Sequence, residues 1–357
     1  MDFSLSEERK MLQETIARFF ENNYNDIKKR TEYLNMNDGF SKKFWKESSN
    51  LGVISGLISP SFGGLGGSGE DISIIFELIG KSLCIEPFLS SGLLSSTILS
   101  SIKNPKTELI NKIIDGDLLV SFAHMEMNNR YEDHFVESKA FFENDNWKLN
   151  GCKSFVINGD SADKVIISAR IEGEINDKNG IGLFLVDNNQ INNRSYNTID
   201  GYRAAELNFN NLNAELLCKD DLALECIIKA NSAGALALSA EAVGIMQVCF
   251  DLTLDYLKTR KQFGKSIGAF QSIQHRMVDM MLEIEQVRSA VMLASSTFET
   301  NSSTRDKNIS AAKNLVGRVG KLIAEESIQL HGGIAMTWEY SVAHYAKRLI
   351  MIDHLMG

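Results

Sequence analysis

Residues 260–275 read Arg260-Lys-Gln-Phe-Gly-Lys-Ser-Ile-Gly-Ala-Phe-Gln-Ser-Ile-Gln-His275, and the rest of the chain is read outward from them. Lys258, Arg260 and Lys261 make a cationic helix end. It runs into a glycine turn that opens at once onto a new amphipathic helix. Guanidinium, backbone N–H and amide groups are presented together there, an arrangement suited to a pyrophosphate. The same spacing describes an ordinary helix–turn–helix corner with solvated basic residues. Spacing alone leaves both readings open.

From about 222 onward the chain reads as helix. Long amphipathic or apolar stretches cover 222–260, 269–299, 305–331 and 340–355, joined by Gly or Asn-Ser-Ser turns. Between 117 and 221 the texture is different. Short β-rich runs recur: Leu118-Leu-Val-Ser-Phe, Lys139-Ala-Phe-Phe, Trp147-Lys-Leu, Lys164-Val-Ile-Ile-Ser-Ala and Ile181-Gly-Leu-Phe-Leu-Val. Asn150-Gly151 and Asn158-Gly159 are turn signals between them, so a small barrel or sandwich is expected. Residues 1–116 return to helix. Ser4-Leu-Ser-Glu-Glu reads as a capped start, and Leu12, Ile16, Phe19 and Phe20 recur at helical spacing. Ile58-Ser-Pro-Ser-Phe-Gly-Gly-Leu-Gly-Gly67 breaks that pattern and must be a loop. Without a clear strand before it and helix after it, it is a weak phosphate-loop candidate.

Bulk composition narrows the function. The chain has 357 residues, 44% hydrophobic, enough for two or three packed layers or domains. Its net charge of −9 argues against a nucleic-acid surface, which would need a basic stripe. Cys84, Cys152, Cys218, Cys226 and Cys249 include no CxxC pair, and read as reduced thiols of a cytoplasmic protein. The six histidines show no metal-ligand spacing, so no metal is expected. The N-terminus lacks the basic and apolar regions of a signal peptide. Residues 230–250 are the one candidate membrane span. They carry Asn231, Ser232, Gly234, Ser239, Glu241, Gly244 and Gln247, and are read as a helix buried inside protein.

Word order is more specific than spacing. Arg260-Lys-Gln-Phe-Gly-Lys-x-Ile-Gly-x-Phe-Gln271 closely resembles a flavin-contacting signature of the acyl-CoA dehydrogenases. Gln329-Leu-His-Gly-Gly-Ile-Ala-Met-Thr-Trp-Glu339 resembles that family's C-terminal glycine motif. The loop ending at Gly67 is similar to one in the family's N-terminal domain, and Lys153–Asp163 resembles its flavin-edge strand. The resemblance extends over essentially the whole chain. It implies a mainly α fold with a central β domain: an N-terminal helical domain (1–116), a middle β-barrel (117–221) and a C-terminal four-helix bundle (222–357). It is strongest to the small subunits of pimeloyl-CoA-type and steroid side-chain dehydrogenases, which are often two-gene heteromers.

That resemblance implies bound FAD, an acyl-CoA substrate, an electron-transfer flavoprotein as electron acceptor, and a homo-oligomer or heterotetramer. It implies that Arg260 takes the pyrophosphate, which a planar, always-charged fork suits. Phe263, Gln271, Gln329, Gly332 and Gly333 are the matching neighbours, and in the family the two motifs commonly come from different subunits. Phe155 matches an aromatic near the flavin ring, and Phe122 lies on a second flavin-facing strand. Ile157 and Met125 stand where hydroxyl residues are usual. His275 and His331 are assigned no chemistry.

The catalytic base is the open question. Glu241 is the only ionisable acid or base between Lys229 and Asp251, on an apolar predicted helix. Burial there would raise its pKa, as a proton abstractor requires. It is equally a carboxylate satisfied by an arginine or backbone group, or a subunit-interface residue. The family's two usual base positions match Gly234 and Met356, neither a carboxylate. Glu241 lies two helical turns beyond Gly234 on the same face. The expected activity is FAD-dependent α,β-dehydrogenation of an acyl-CoA thioester, with Glu241 as base. The alternatives are a non-catalytic subunit that completes a partner's FAD site, and a flavin monooxygenase of the same fold.

Overall fold

The computed structural model describes residues 6–24, 26–129 and 131–357. Helices α1 (Glu7–Asn23), α2 (Ile27–Leu34), α3 (Lys42–Asn50), α4 (Gly69–Ser82), α5 (Ser96–Ser101) and α6 (Thr107–Ile114) come first. Seven strands follow: β1 (Val120–Ala123), β2 (Lys139–Glu143), β3 (Asn146–Ile157), β4 (Lys164–Arg170), β5 (Ile181–Asp187), β6 (Asn192–Asn197) and β7 (Arg203–Lys219). Then come α7 (Asp221–Thr259), a hairpin of β8 (Lys261–Gln262) and β9 (Lys265–Ser266), α8 (Gln271–Ser296), α9 (Ser302–His331) and α10 (Val342–Asp353). The expected order of helices, strands and helices is present. Ser4, expected to cap the first helix, lies outside the described residues. Within them Ser6 caps α1, its hydroxyl accepting from Arg9 N–H at 3.3 Å.

By packing, the chain gathers into two compact units that cut across the three sequence segments. One comprises residues 1–32, 68–84 and 235–357; the other comprises 33–67 and 85–234. In the first unit α4 joins α7 and α8 instead of its sequence neighbours. The reason is the glycines. A side chain at Gly80 would run into the backbone carbonyl of Glu241, and one at Gly244 into that of Glu77. Only paired glycines let α4 and α7 cross this closely. A third, Gly69, brings the α4 N-terminus against Ser295, and its N–H donates to Glu299 at 2.8 Å. Arg288 of α8 adds an ion pair to Glu77 at 3.2 Å. The window of α7 apolar enough to cross a membrane is 83% buried inside the fold, the mark of a core helix.

In the second unit the strands close a barrel. β5 pairs antiparallel with both β4 and β7, β7 with β3, β3 with β2, and β2 touches β4 at Lys139–Arg170. β1 adds parallel to β4. Alternate residues Val165, Ile167 and Ala169 of β4, Ala205, Leu207 and Phe209 of β7, and Leu149 of β3 fill the interior with Phe184. One expectation needs correction here, and one turn and two strands went unread. Asn150-Gly151 is not a hairpin turn: it lies inside β3 opposite a bulge in β7, where the register shifts and Gly151 passes close to Ser138. The turn joining β2 to β3 is Asn144–Asp145, both in the left-handed region. And β6 and β7, too rich in asparagine to draw attention, are strands, β7 being the longest of the sheet.

Candidate functional site

Two groups of expected cofactor contacts emerge, one in each unit. In the first unit α7 ends at Thr259 and does not pass directly to the next helix. Arg260 closes the base of the β8–β9 hairpin, its carbonyl accepting from Ile267 N–H at 2.9 Å. The two-residue turn is Phe263–Gly264, with φ of +53° and +81°. Those values suit a type I′ turn, which explains the glycine and shows that Phe263 is held in an uncommon conformation for a non-glycine residue. Phe263 is 91% exposed, its ring edge-on to Phe270 at 6.2 Å. Arg260 is exposed, and its guanidinium has no partner among the described residues.

Gln271 opens α8 and is exposed, as is Gln329 near the end of α9. Gly332, at φ +69°, ends α9, and neither it nor Gly333 has any atom within 4 Å of where a side chain would stand. Open space above two glycine backbones lets a ligand approach the main chain. An apolar hollow of about 470 Å³ flanks the hairpin between α7 and α8, lined by Leu254, Leu257, Ile273 and Met277. An unpaired cationic fork, an exposed ring, open glycines and an apolar hollow fit a dinucleotide carrying a flat ring system.

In the second unit Phe122 on β1 and Phe155 on β3 are brought onto neighbouring segments. Ser154 N–H donates to Met125 O at 2.9 Å, and the Ser121 hydroxyl donates to the carbonyls of Ile157 (3.0 Å) and Asn158 (3.1 Å). Phe155 has φ +52° at a register shift between Lys153 and Val156. A bulge there re-aims the aromatic side chain, and a strained non-glycine residue on a bulge is a common mark of a functional strand. The turn after it is tightly held. Asn158 N–H donates to Arg203 O at 3.1 Å, Asn188 donates to the carbonyls of Gly159 and Ala162, and Arg203 pairs with Asp160.

Beside these strands lies a buried polar network that the sequence reading missed. Lys153, fully buried, donates to Glu126 Oε1 (2.5 Å), Ser168 Oγ (3.0 Å) and His124 O (3.2 Å). Glu126 also accepts from the Ser138 hydroxyl at 2.7 Å and from two backbone N–H groups. His124 Nδ1 lies 2.9 Å from Ser168 Oγ, and its ring stacks on Phe122 at 5.7 Å. Burial and then the Lys153 charge push His124 down to about 3, so it is neutral. Burial pushes the Lys153 ammonium down while Glu126 opposes it, and the lysine's charge and bond hold Glu126 below its ordinary range against its own burial. Three donors and their acceptors are matched, which is what makes a buried pair tolerable. The signal was an isolated lysine within an otherwise β-rich run.

Glu241 is buried and paired. It sits at the α4–α7 crossing, 1% exposed, and Arg348 of α10 grips both its oxygens, Nε–Oε1 at 2.6 Å and Nη2–Oε2 at 2.9 Å. The arginine-satisfied alternative is the one the geometry realises. Both oxygens accept from that one guanidinium. Arg348, far along the chain among ordinary cations, carried no sequence signal. Of the two other expected base positions, Met356 is in the left-handed region and Gly234 lies within α7. His331 is buried and its Nδ1 donates to Ser327 O at 2.8 Å, while His275 is exposed on α8. Among the described residues no cluster has the makings of a metal site.

Comparison with known proteins bears on these features together. A family model described as acyl-CoA dehydrogenase, N-terminal domain, matches residues 6–113, and one described as acyl-CoA dehydrogenase, C-terminal domain, matches residues 224–353. The chain is 28% identical over 354 residues to the acyl-CoA dehydrogenase IpdE2 of Mycolicibacterium smegmatis, covering 99% of this chain and 96% of that protein. In fold it is similar to a chain of the ChsE4–ChsE5 complex from Mycobacterium tuberculosis, with a TM-score of 0.88 at 19% identity over 99% of this chain and 94% of that one. It is also similar to PigA with FAD and proline, with a TM-score of 0.89 at 24% identity over 100% of this chain and 96% of that one.

Proposed function

Since the chain belongs to the acyl-CoA dehydrogenase family, an FAD-binding family, we propose that it takes part in FAD-dependent α,β-dehydrogenation of an acyl-CoA thioester, passing electrons to an electron-transfer flavoprotein. The observation that carries this reading is the exposed, unpartnered Arg260 guanidinium on a strained hairpin, in a unit that also presents two open glycines. Arg260 would neutralise the pyrophosphate, and Gly332–Gly333 would let its oxygens reach main-chain N–H groups. Phe155 and Phe122 would flank the ring from strands braced by the Lys153–Glu126 pair. FAD, when bound, supplies the acceptor for the hydride leaving the β-carbon. The chain must also hold the thioester carbonyl by hydrogen bonds, which acidifies the α-C–H.

The base is not Glu241 in this proposal. Its engagement by Arg348, with Gly234 and Met356 at the other expected positions, favours a second reading: this chain completes a site whose base a homologous partner subunit supplies. The outer face of α8 supports association. Val278, Met281, Leu282, Met292 and Leu293 recur at helical spacing and are exposed, opposite a buried stripe that includes Met277, Ile284 and Val291. A cytoplasmic location is part of the same proposal.

Absorbance spectroscopy tests it. Purified protein should carry a flavin spectrum, and Arg260→Met should lose most bound FAD without unfolding. Phe263→Ala should leave stability within ~0.5 kcal/mol, as an exposed side chain does, yet weaken FAD retention. Anaerobic addition of acyl-CoAs should bleach the flavin. Should the protein stay colourless until co-expressed with a homologue, the partner-subunit reading holds. Protein that binds no FAD in either state sinks both.

A further inference from the structure

Within the first unit, the ends of α7 and α9, which carry Arg260 and Gly332, are linked through three rings. His331 is the last residue of α9 and is buried, 4% exposed. Its imidazole lies 4.6 Å from the ring of Tyr256 on α7 and 5.1 Å from the ring of Tyr340, just before α10. The two tyrosine rings are 6.4 Å apart, so the imidazole is held by both. Its Nδ1 donates to Ser327 O at 2.8 Å in the last turn of the helix, which fixes the plane of the ring. Burial pushes the imidazole below its ordinary range, so it stays neutral. Each neighbour leads straight to a group of the candidate site. Tyr256 O accepts from Arg260 N–H at 2.8 Å, one turn further along α7. Gly332 follows His331, donates its N–H to Ile328 O, and turns off the helix at φ +69° and ψ −149°, a conformation that suits glycine. One ring contact and two short backbone steps therefore connect the cationic helix end to the open glycine backbone.

We propose that His331 is a positioning residue for dinucleotide binding: clasped between Tyr256 and Tyr340, its ring sets the separation between Arg260 and the Gly332–Gly333 main chain. This rests on the function proposed above, in which Arg260 and those glycines act on one pyrophosphate. His331 itself touches no ligand and transfers no proton. A guanidinium and backbone N–H groups must reach the oxygens of one compact anion together, each at roughly 2.7–2.9 Å. That demand leaves little slack in the distance between the two helix ends, and the width of one ring is a sensitive way to set it. A smaller side chain at 331 lets the tyrosines close on the vacated space and ends α9 at a different height against α7. Two roles for the ring are separable. A ring that only fills space stabilises the fold and leaves the affinity of folded protein unchanged. A ring that aligns the glycines with the arginine matters to affinity only while the arginine is there.

A double-mutant cycle on FAD affinity tests it, in whichever form of the protein carries flavin. FAD is titrated into each variant, binding is read from quenching of flavin fluorescence, and folding is checked by circular dichroism. His331→Asn keeps a donor for Ser327 O and removes the aromatic ring; His331→Phe keeps a ring in the slot. His331→Asn should weaken FAD binding about tenfold beside Arg260 and less than about twofold in an Arg260→Met background. His331→Phe should recover at least half of the loss. Tyr340→Leu opens the same clasp from its half-buried side and should show the same dependence on Arg260, which decides the matter where His331→Asn does not fold. The proposal falls if the folded variants bind FAD as the parent does, or if they lose as much affinity without Arg260 as with it. A parent that binds no FAD overturns the proposed function and this inference together, whereas a parent that binds FAD and gives an additive cycle overturns this inference alone.

Discussion

At the scale of single residues, burial and partner decide what a titratable group does. Glu241 is held by a bidentate arginine inside the first unit, and removing one member leaves the other charge buried and unpaired. Glu241→Gln and Arg348→Met should each cost about 3–5 kcal/mol in urea unfolding, and Glu241→Leu with Arg348→Met should recover most of that loss. Folded Glu241→Gln should bleach with acyl-CoA as the parent does; a stable variant that fails to bleach would return the base role to Glu241. His124 makes a prediction about pH. Its folded value lies near 3 against an ordinary 6.5, so below 6.5 the unfolded chain takes up a proton that the native state refuses. The associated stability is present above 6.5 and declines on acidification. Glu126, held below its ordinary 4.5, adds a loss of the same sign only below that value. Between 4.5 and 6.5, therefore, His124→Gln should flatten the fall of unfolding free energy with pH.

Elements are placed by close approach as much as by apolar area. Gly80 and Gly244 each stand against the other helix's backbone, so a methyl group at either cannot be accommodated by rotating a side chain. Gly80→Ala and Gly244→Ala should each destabilise by about 1–3 kcal/mol. In the double variant the second substitution should cost less than it does alone, because the first has already parted the helices. Thermal melts of the four proteins measure this; strict additivity would mean that the two contacts are independent. The bulges along the β3–β7 ladder act in the opposite sense. One, on β7, stands opposite Gly151 where it passes Ser138, and the other, on β3, turns Phe155 away from the regular alternation that would place it by strand parity.

For the whole molecule, association is the property left to measure. A charge on the outer face of α8 costs little in an isolated chain and much in an interface. Leu282→Glu should leave the melting temperature of the dissociated chain nearly unchanged and shift the light-scattering mass toward a smaller species. An unchanged mass would place the contact elsewhere.

How much of this was legible in advance depended on range. The helices after 222 were visible within a few residues, because a long amphipathic period repeats its own evidence. Strands β1 to β5 were visible from β-branched and aromatic runs. Residues 260–271 and 329–339 carried the flavin reading as words, since a tight turn beside a cationic helix end demands particular residues in a fixed order. Strand β6 was not visible because it is exposed along its whole length and has no alternation, and β7 because asparagines on its outer face mask the alternation that burial enforces.

The linear chain thus determined its elements, its family and the groups available to grip a dinucleotide, all local in sequence. Only tertiary structure decided that Glu241 answers to Arg348 and that Lys153 answers to Glu126 and His124. Those partners are chosen by where the backbone crosses itself, and the energy of a buried charge depends on its partner more than on its own identity.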